Sequence, residues 1–189
     1  MTSFPKLCKS VTAALCLVGG TQWTSPARAV EQPPALGWRS FDDGRLGLPF
    51  PYPADLFPVV SGDLGARWGV HEARRTGRMF ETRDGRATLQ VGAFENPAGL
   101  GTGQLRFRAL RVSYKDARVH YDRLAPSWYV LSGTRDEEMF YERLTLSCGG
   151  RRIDVWSMTY PIEERDYFDR IVEELARRYR PALRRVRCN

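Results

Sequence analysis

The chain has 189 residues, 42% of them hydrophobic and 27% charged, with a formal net charge of +7. That length suits one domain with a single sizeable core. The basic excess does not make a nucleic-acid surface, because acidic residues are interleaved almost everywhere, as in Arg135-Asp136-Glu137-Glu138 and Glu163-Glu164-Arg165-Asp166.

Residues 1–29 read as a secretory signal peptide. Lys6 and Lys9 give a basic start, Val11 to Val18 a short apolar run broken by Gly19-Gly20, and Ala27-Arg28-Ala29 a small-residue cleavage site before Val30. The run is far short of the roughly 20 residues that span a bilayer, so no anchor is expected. A buried N-terminal helix is the alternative; Pro26 and the small residues fit processing better. Cys16 lies inside the apolar run, poorly placed for lipid attachment. The expected product is periplasmic or secreted, and soluble after cleavage near Ala29. Loss of Lys6, Lys9 and Arg28 leaves 26 Lys plus Arg against 22 Asp plus Glu, with Lys115 the only remaining lysine. Cys8 and Cys16 leave too, so Cys148 and Cys188 remain. An even count in an exported protein favours a disulfide, stabilising by roughly 3–4 kcal/mol on the chain-entropy view. Two unpaired thiols are the alternative.

Residues 30–40 read as an extended leader containing Pro33-Pro34, and residues 41–189 as a single domain. Residues 45–53 predict a short strand, but prolines at 49, 51 and 53 remove three ladder donors and confine it to an edge or an irregular position. A short apolar segment (Leu56, Phe57, Val59, Val60) and a glycine-punctuated loop with Trp68 and His71 follow. Asp84-Gly85 between two strand-like runs, 77–82 and 87–94, predicts a tight hairpin. Leu89, Val91 and Ala93 alternate with Thr88, Gln90 and Gly92, implying one buried face. A helix is expected over about 103–114, capped by Thr102, with Leu105, Leu110 and Val112 in its inner stripe. Strand-like runs at 118–121, 128–133, 139–148 and 151–160 come next, the last two joined by Gly149-Gly150. The closing helix carries Phe168, Ile171, Val172, Leu175, Ala176 and Tyr179 at helical spacing and stops at Pro181. The fold class is α+β: an antiparallel sheet of about six strands packed by a central and a C-terminal helix.

Catalytic signatures are sparse. The two histidines are His71, beside Glu72 in a loop-rich region, and His120, in a strand-like run. There is no nucleophile elbow, zinc-protease pair or nucleotide-binding glycine loop, so no catalytic residue, metal or cofactor is assigned. Adjacent aromatics such as Trp128-Tyr129 point to opposite faces of a strand, leaving one of each pair available outside the core. Arginine beside an exposed aromatic suits a protein interface or a sugar-stacking surface. Arg78, Trp128, Tyr129, Arg151 and Arg152 are the candidate binding residues. The cluster Arg177, Arg178, Arg180, Arg184, Arg185 and Arg187 either complements a helix dipole or touches anionic lipid or an acidic partner.

The order of elements, with a strand ending in Tyr52-Pro53, the Asp84-Gly85 hairpin, a central helix, successive antiparallel strands and a C-terminal helix, resembles the PsbP-like fold. That fold is shared by the extrinsic photosystem II subunit and the Ran-binding nuclear import factor. Gly77-Arg78-Met79-Phe80 with Asp84-Gly85-Arg86-Ala87, Val130-Leu131-Ser132-Gly133, Phe140-Tyr141-Glu142 and Cys148-Gly149-Gly150 is similar to a group of small, uncharacterised bacterial periplasmic proteins. The resemblance covers about residues 40–180. It implies a PsbP-like α/β/α sandwich and a non-catalytic module acting by contact with another envelope protein. No calcium or other ligand site carries over residue by residue. An envelope hydrolase or carbohydrate-binding protein using His71 and nearby carboxylates is the alternative.

Overall fold

The computed structural model describes residues 36–42, 49–61 and 76–179. Contacts divide the chain into Met1–Gln32 and Pro33–Asn189, and every described residue belongs to the second unit. The signal-peptide reading, His71, Cys188 and Arg180 to Arg187 therefore lie outside the described residues.

Two short strands, β1 (Trp38–Phe41) and β2 (Phe50–Pro53), form a separate antiparallel ribbon. Its register sets Pro53 against Trp38 and Pro51 against Ser40. A proline-rich strand cannot donate to two neighbours, so a two-stranded ribbon accommodates it where a central position would not. The leader expected to end at residue 40 thus contributes a strand. The ribbon is held by aromatic contacts, Phe41 edge-on to Phe80 at 5.2 Å and Tyr52 against Phe80 at 4.6 Å.

The main sheet has seven strands: β3 (Val59–Ser61), β4 (Thr76–Glu81), β5 (Thr88–Glu95), β6 (Arg118–Ala125), β7 (Trp128–Arg135), β8 (Glu138–Ser147) and β9 (Arg152–Pro161). They lie in the order β3-β4-β5-β9-β8-β7-β6, every neighbouring pair antiparallel. The main sheet thus has one strand more than the six expected. The brief Val59-Val60 segment pairs with β4 as an edge strand, while the strand expected over 45–53 leaves for the ribbon. Gly85 has φ +70°, the left-handed conformation the β4–β5 turn needs. Gly133 is tightly placed for another reason. It faces Val119 beside a bulge in β6, and a Cβ there would overlap the Arg118 carbonyl.

Two helices cover opposite faces. α1 (Thr102–Val112) packs with Leu105 and Ala109 on Phe94, Tyr129, Leu131, Phe140, Leu144, Ile153 and Val155. α2 (Arg165–Arg178) sets Phe168, Ile171, Val172 and Leu175 on Leu89, Val91, Trp156, Met158 and Tyr160. The sheet is buried on both sides at its centre. Gln90, Gly92 and Phe94, on the second face of β5, are therefore buried as well as the expected Leu89, Val91 and Ala93.

The cap of α1 differs from expectation. Gly101 precedes the helix and its N–H donates to the Gln104 side chain at 2.9 Å, while the Thr102 hydroxyl donates to the Ala125 carbonyl at 2.8 Å. The expected inner residue Val112 is 54% exposed. Beyond the helix end Tyr114 turns in and stacks on Phe140 at 4.2 Å.

Candidate functional site

Strand alternation decides which side chains meet. On the α2 side of the sheet, cross-strand register puts Arg78, Val91, Trp156, Arg143, Val130 and Arg123 in one row across β4, β5, β9, β8, β7 and β6. The next row on the same face contains Ala93, Asp154, Thr145, Trp128 and Ala125. These rows bring Arg143, Thr145, Asp154, Trp156 and Trp128 together, and Tyr179, following α2, closes over them.

Arg143 is the centre. Its guanidinium carbon lies 5.4 Å from the Trp128 ring centroid and 5.6 Å from that of Tyr179, so the planar cation is held by two aromatic rings. Among the described residues it has no carboxylate partner, and its buried Nε makes no hydrogen bond. Three further buried polar atoms are unpartnered on the same face: Thr145 Oγ1, Trp156 Nε1 and the Tyr179 hydroxyl. Native proteins leave few such atoms, so four in one place mark a feature that packing alone does not explain.

The nearby carboxylate is already engaged. Asp154 accepts from Ser147 Oγ at 2.6 Å on one oxygen and from Arg152 Nε at 2.6 Å on the other. Burial pushes the Tyr179 phenol up and the negative charge of Asp154 adds to it, while Thr145, Arg143 and Arg152 pull against them. The Thr145 and Tyr179 hydroxyls are close enough for that influence without reaching hydrogen-bond geometry. Burial likewise pushes Tyr141 up to about 12, against the pull of Arg143. A cavity of about 20 Å³, the size of a water rather than a small molecule, lies nearby between Phe50, Gly92, Arg152, Asp154 and Tyr179.

Toward the sheet edge this face opens to solvent. α2 packs on β9 and β2, and Tyr121 on β6 is 48% exposed with Arg123 at 5.5 Å over its ring.

The opposite face holds a different polar group. Glu142, only 3% exposed, accepts from the Tyr129 hydroxyl at 2.6 Å and from Tyr114 at 2.8 Å beneath α1. Burial, then the Glu142 charge, holds the Tyr129 phenol well above its ordinary range.

The five candidate binding residues separate accordingly. Trp128 lies in the arginine–aromatic cluster, and Arg152 borders it through Asp154. Arg78 shares the face but stands on β4, three strands from β8, with its guanidinium donating to the Gly77 carbonyl. Arg151 is exposed at the β8–β9 turn and its Nε donates to the Cys148 carbonyl at 3.3 Å. Tyr129, unlike Trp128 beside it, points to the α1 side, where it is 2% exposed and buried against Glu142. Cys148 is half-buried at the start of the turn after β8, and its expected partner lies outside the described residues. His120 is exposed, with Nε2 at 3.1 Å from the Thr134 hydroxyl. Arg177 and Arg178 pair with Glu174, the latter at 2.5 Å.

Sequence reasoning missed Arg143, Thr145 and Tyr179. The signal was present in β8, where Tyr141, Arg143, Thr145 and Ser147 alternate with Phe140, Glu142, Leu144 and Leu146. Reading that alternation against Trp128 across the hairpin would have placed Arg143 beside it.

No described helix is long and apolar enough to cross a membrane. No family model and no curated protein matches the chain. Among solved structures it is similar to the solution structure of cyanobacterial PsbP (CyanoP) from Synechocystis sp. PCC 6803. Identity is 16% and the TM-score 0.53, over 82% of this chain and 96% of that one. The seven-stranded antiparallel sheet between two helices, together with that match, gives this chain a PsbP-like fold.

Proposed function

We propose that the chain is an exported, non-catalytic binding or assembly module of the bacterial cell envelope, and that it holds another envelope protein on the β6–β8 face. The observation that carries this reading is the arginine–aromatic surface. Tyr121 and Arg123 are exposed on β6, Trp128 and Arg143 are half-buried beside them on the same face, and both arginines sit over aromatic rings. Aromatic and arginine side chains are the types enriched in protein interfaces. A Cys148–Cys188 bridge, which the exported setting favours, is part of the same proposal.

Co-purification from the host tests it. The double variant Tyr121→Ala/Trp128→Ala should lower recovery of a specific envelope protein at least fivefold. Phe107→Ala, which removes a 61% exposed side chain from α1, should leave it unchanged. Equal losses from both would place the contact elsewhere. His71→Ala should not affect recovery; an activity lost with His71 would favour the hydrolase instead.

A further inference from the structure

We propose that Arg143 is the receptor for an acidic side chain presented by the partner protein, the carboxylate docking on the guanidinium between Trp128 and Tyr179. This deepens the reading above and rests on it.

The argument is one of unmatched donors. A guanidinium can only donate, and the indole N–H of Trp156, directly opposite Arg143 across the β8–β9 ladder, can only donate. Arg143 Nε and Trp156 Nε1 are buried and make no hydrogen bond, while the rest of the guanidinium is close enough to Tyr141 to pull on its phenol. The Thr145 and Tyr179 hydroxyls beside them are unpartnered too. The one carboxylate beside them, Asp154, accepts from Ser147 on one oxygen and is paired with Arg152 on the other. A half-buried cation with no carboxylate partner among the described residues is unfavourable unless something completes it. The group that satisfies a planar cation and neighbouring donors together is an oxyanion, and a carboxylate matches the guanidinium fork. Arg143 is half-buried with its Nε enclosed, so the carboxylate must arrive on a side chain that reaches in while its backbone stays on the surface. The open neighbouring face, with Tyr121 and Arg123, gives that backbone a place to lie. Ring packing keeps the guanidinium fixed before the partner arrives, which lowers the ordering cost of binding.

The test uses the whole protein purified from its host and two probe peptides, acetylated tetraglutamate and acetylated tetraglutamine amides. Nitrogen–proton NMR follows the Arg143 Nε–H and Trp156 Nε1–H signals. Tetraglutamate should shift both saturably, and tetraglutamine should not. Arg143→Gln should weaken the apparent affinity about tenfold or more. Arg143→Lys, which keeps charge but not the planar fork, should recover only part of it. If Arg143→Gln alters folding, Thr145→Val, with signals still read at Arg143, is the substitute and should weaken binding by a smaller factor. Equal shifts from both peptides, or none, would overturn the proposal. So would tetraglutamate binding undiminished in Arg143→Gln. The two levels separate cleanly: host-protein capture lost with Tyr121→Ala/Trp128→Ala but retained in Arg143→Gln removes the carboxylate receptor alone. Capture indifferent to all of these variants removes the β6–β8 face itself.

Discussion

Replacing Tyr129 by phenylalanine removes one hydroxyl from the interior and almost no volume. That hydroxyl donates to Glu142 Oε1 at 2.6 Å, and Glu142 is 3% exposed, so the variant strips a buried carboxylate of a donor with little prospect of water replacing it. A hydrogen bond to a charged group contributes about 1.5–3 kcal/mol. In a domain of this size each kcal/mol moves Tm by about 2–4 °C, so the variant should melt roughly 3–12 °C below the parent. Urea denaturation should show a lower midpoint with an unchanged slope. The loss also has a pH signature. Burial and the Glu142 charge raise the Tyr129 pKa in the folded protein above its unfolded value. Its contribution is therefore complete below about pH 10 and declines as pH rises from there toward the folded value. The stability gap between parent and Tyr129→Phe should be flat from pH 6 to 9 and narrow above pH 10. A gap under about 0.5 kcal/mol at neutral pH, or one that does not narrow in alkali, would refute the claim that Glu142 depends on this phenol.

Three further outcomes follow from the same structure. Gly133→Ala should destabilise by about 2–3 kcal/mol in urea titrations, since its methyl would meet the Arg118 carbonyl at the bulge of β6. Alkaline titration followed by circular dichroism should show stability falling from about pH 10. The folded Tyr141, Tyr160 and Tyr179 phenols are all raised by burial, so the unfolded chain releases its protons first. Under the proposed Cys148–Cys188 bridge, thiol labelling of unfolded protein should find no free thiol without reductant. Reduction should then lower Tm by about 6–16 °C, the equivalent of roughly 3–4 kcal/mol.

Much of the fold could be read from local signals because those signals and the tertiary structure agree. Asp84-Gly85 forced a turn that only positive φ permits, and α2 carried a one-sided apolar stripe with Pro181 just beyond it. Where the two disagreed, non-local pairing decided. Val59-Val60 is too short to declare itself a strand and becomes one because β4 offers it a ladder. The proline-rich strand kept its conformation but lost its place in the main sheet, since pairing with Trp38–Phe41 asks less of it. Val112 has the right spacing for the core, but the chain turns after it and Tyr114 stacks on Phe140. The site was less legible still. Trp128 could be nominated as an aromatic on a strand, and its neighbour Tyr129 could not be told from it without knowing which face carried Glu142. Arg143 looked like one arginine among many. Its distinction is a guanidinium held between two rings with no carboxylate partner among the described residues, a property of β7, β8, β9 and Tyr179 together that no local window contains.

The most direct test of the contact surface is photo-cross-linking in the living host, with p-benzoylphenylalanine placed singly at Tyr121, Phe107 or Val60. These positions sample the β6–β8 face, α1 and the opposite sheet edge, and all three are exposed. The account predicts one discrete protein adduct from Tyr121 that disappears in the Arg143→Gln background, and none of that mass from Phe107 or Val60. The same adduct from Phe107 or Val60, with nothing from Tyr121, would contradict it.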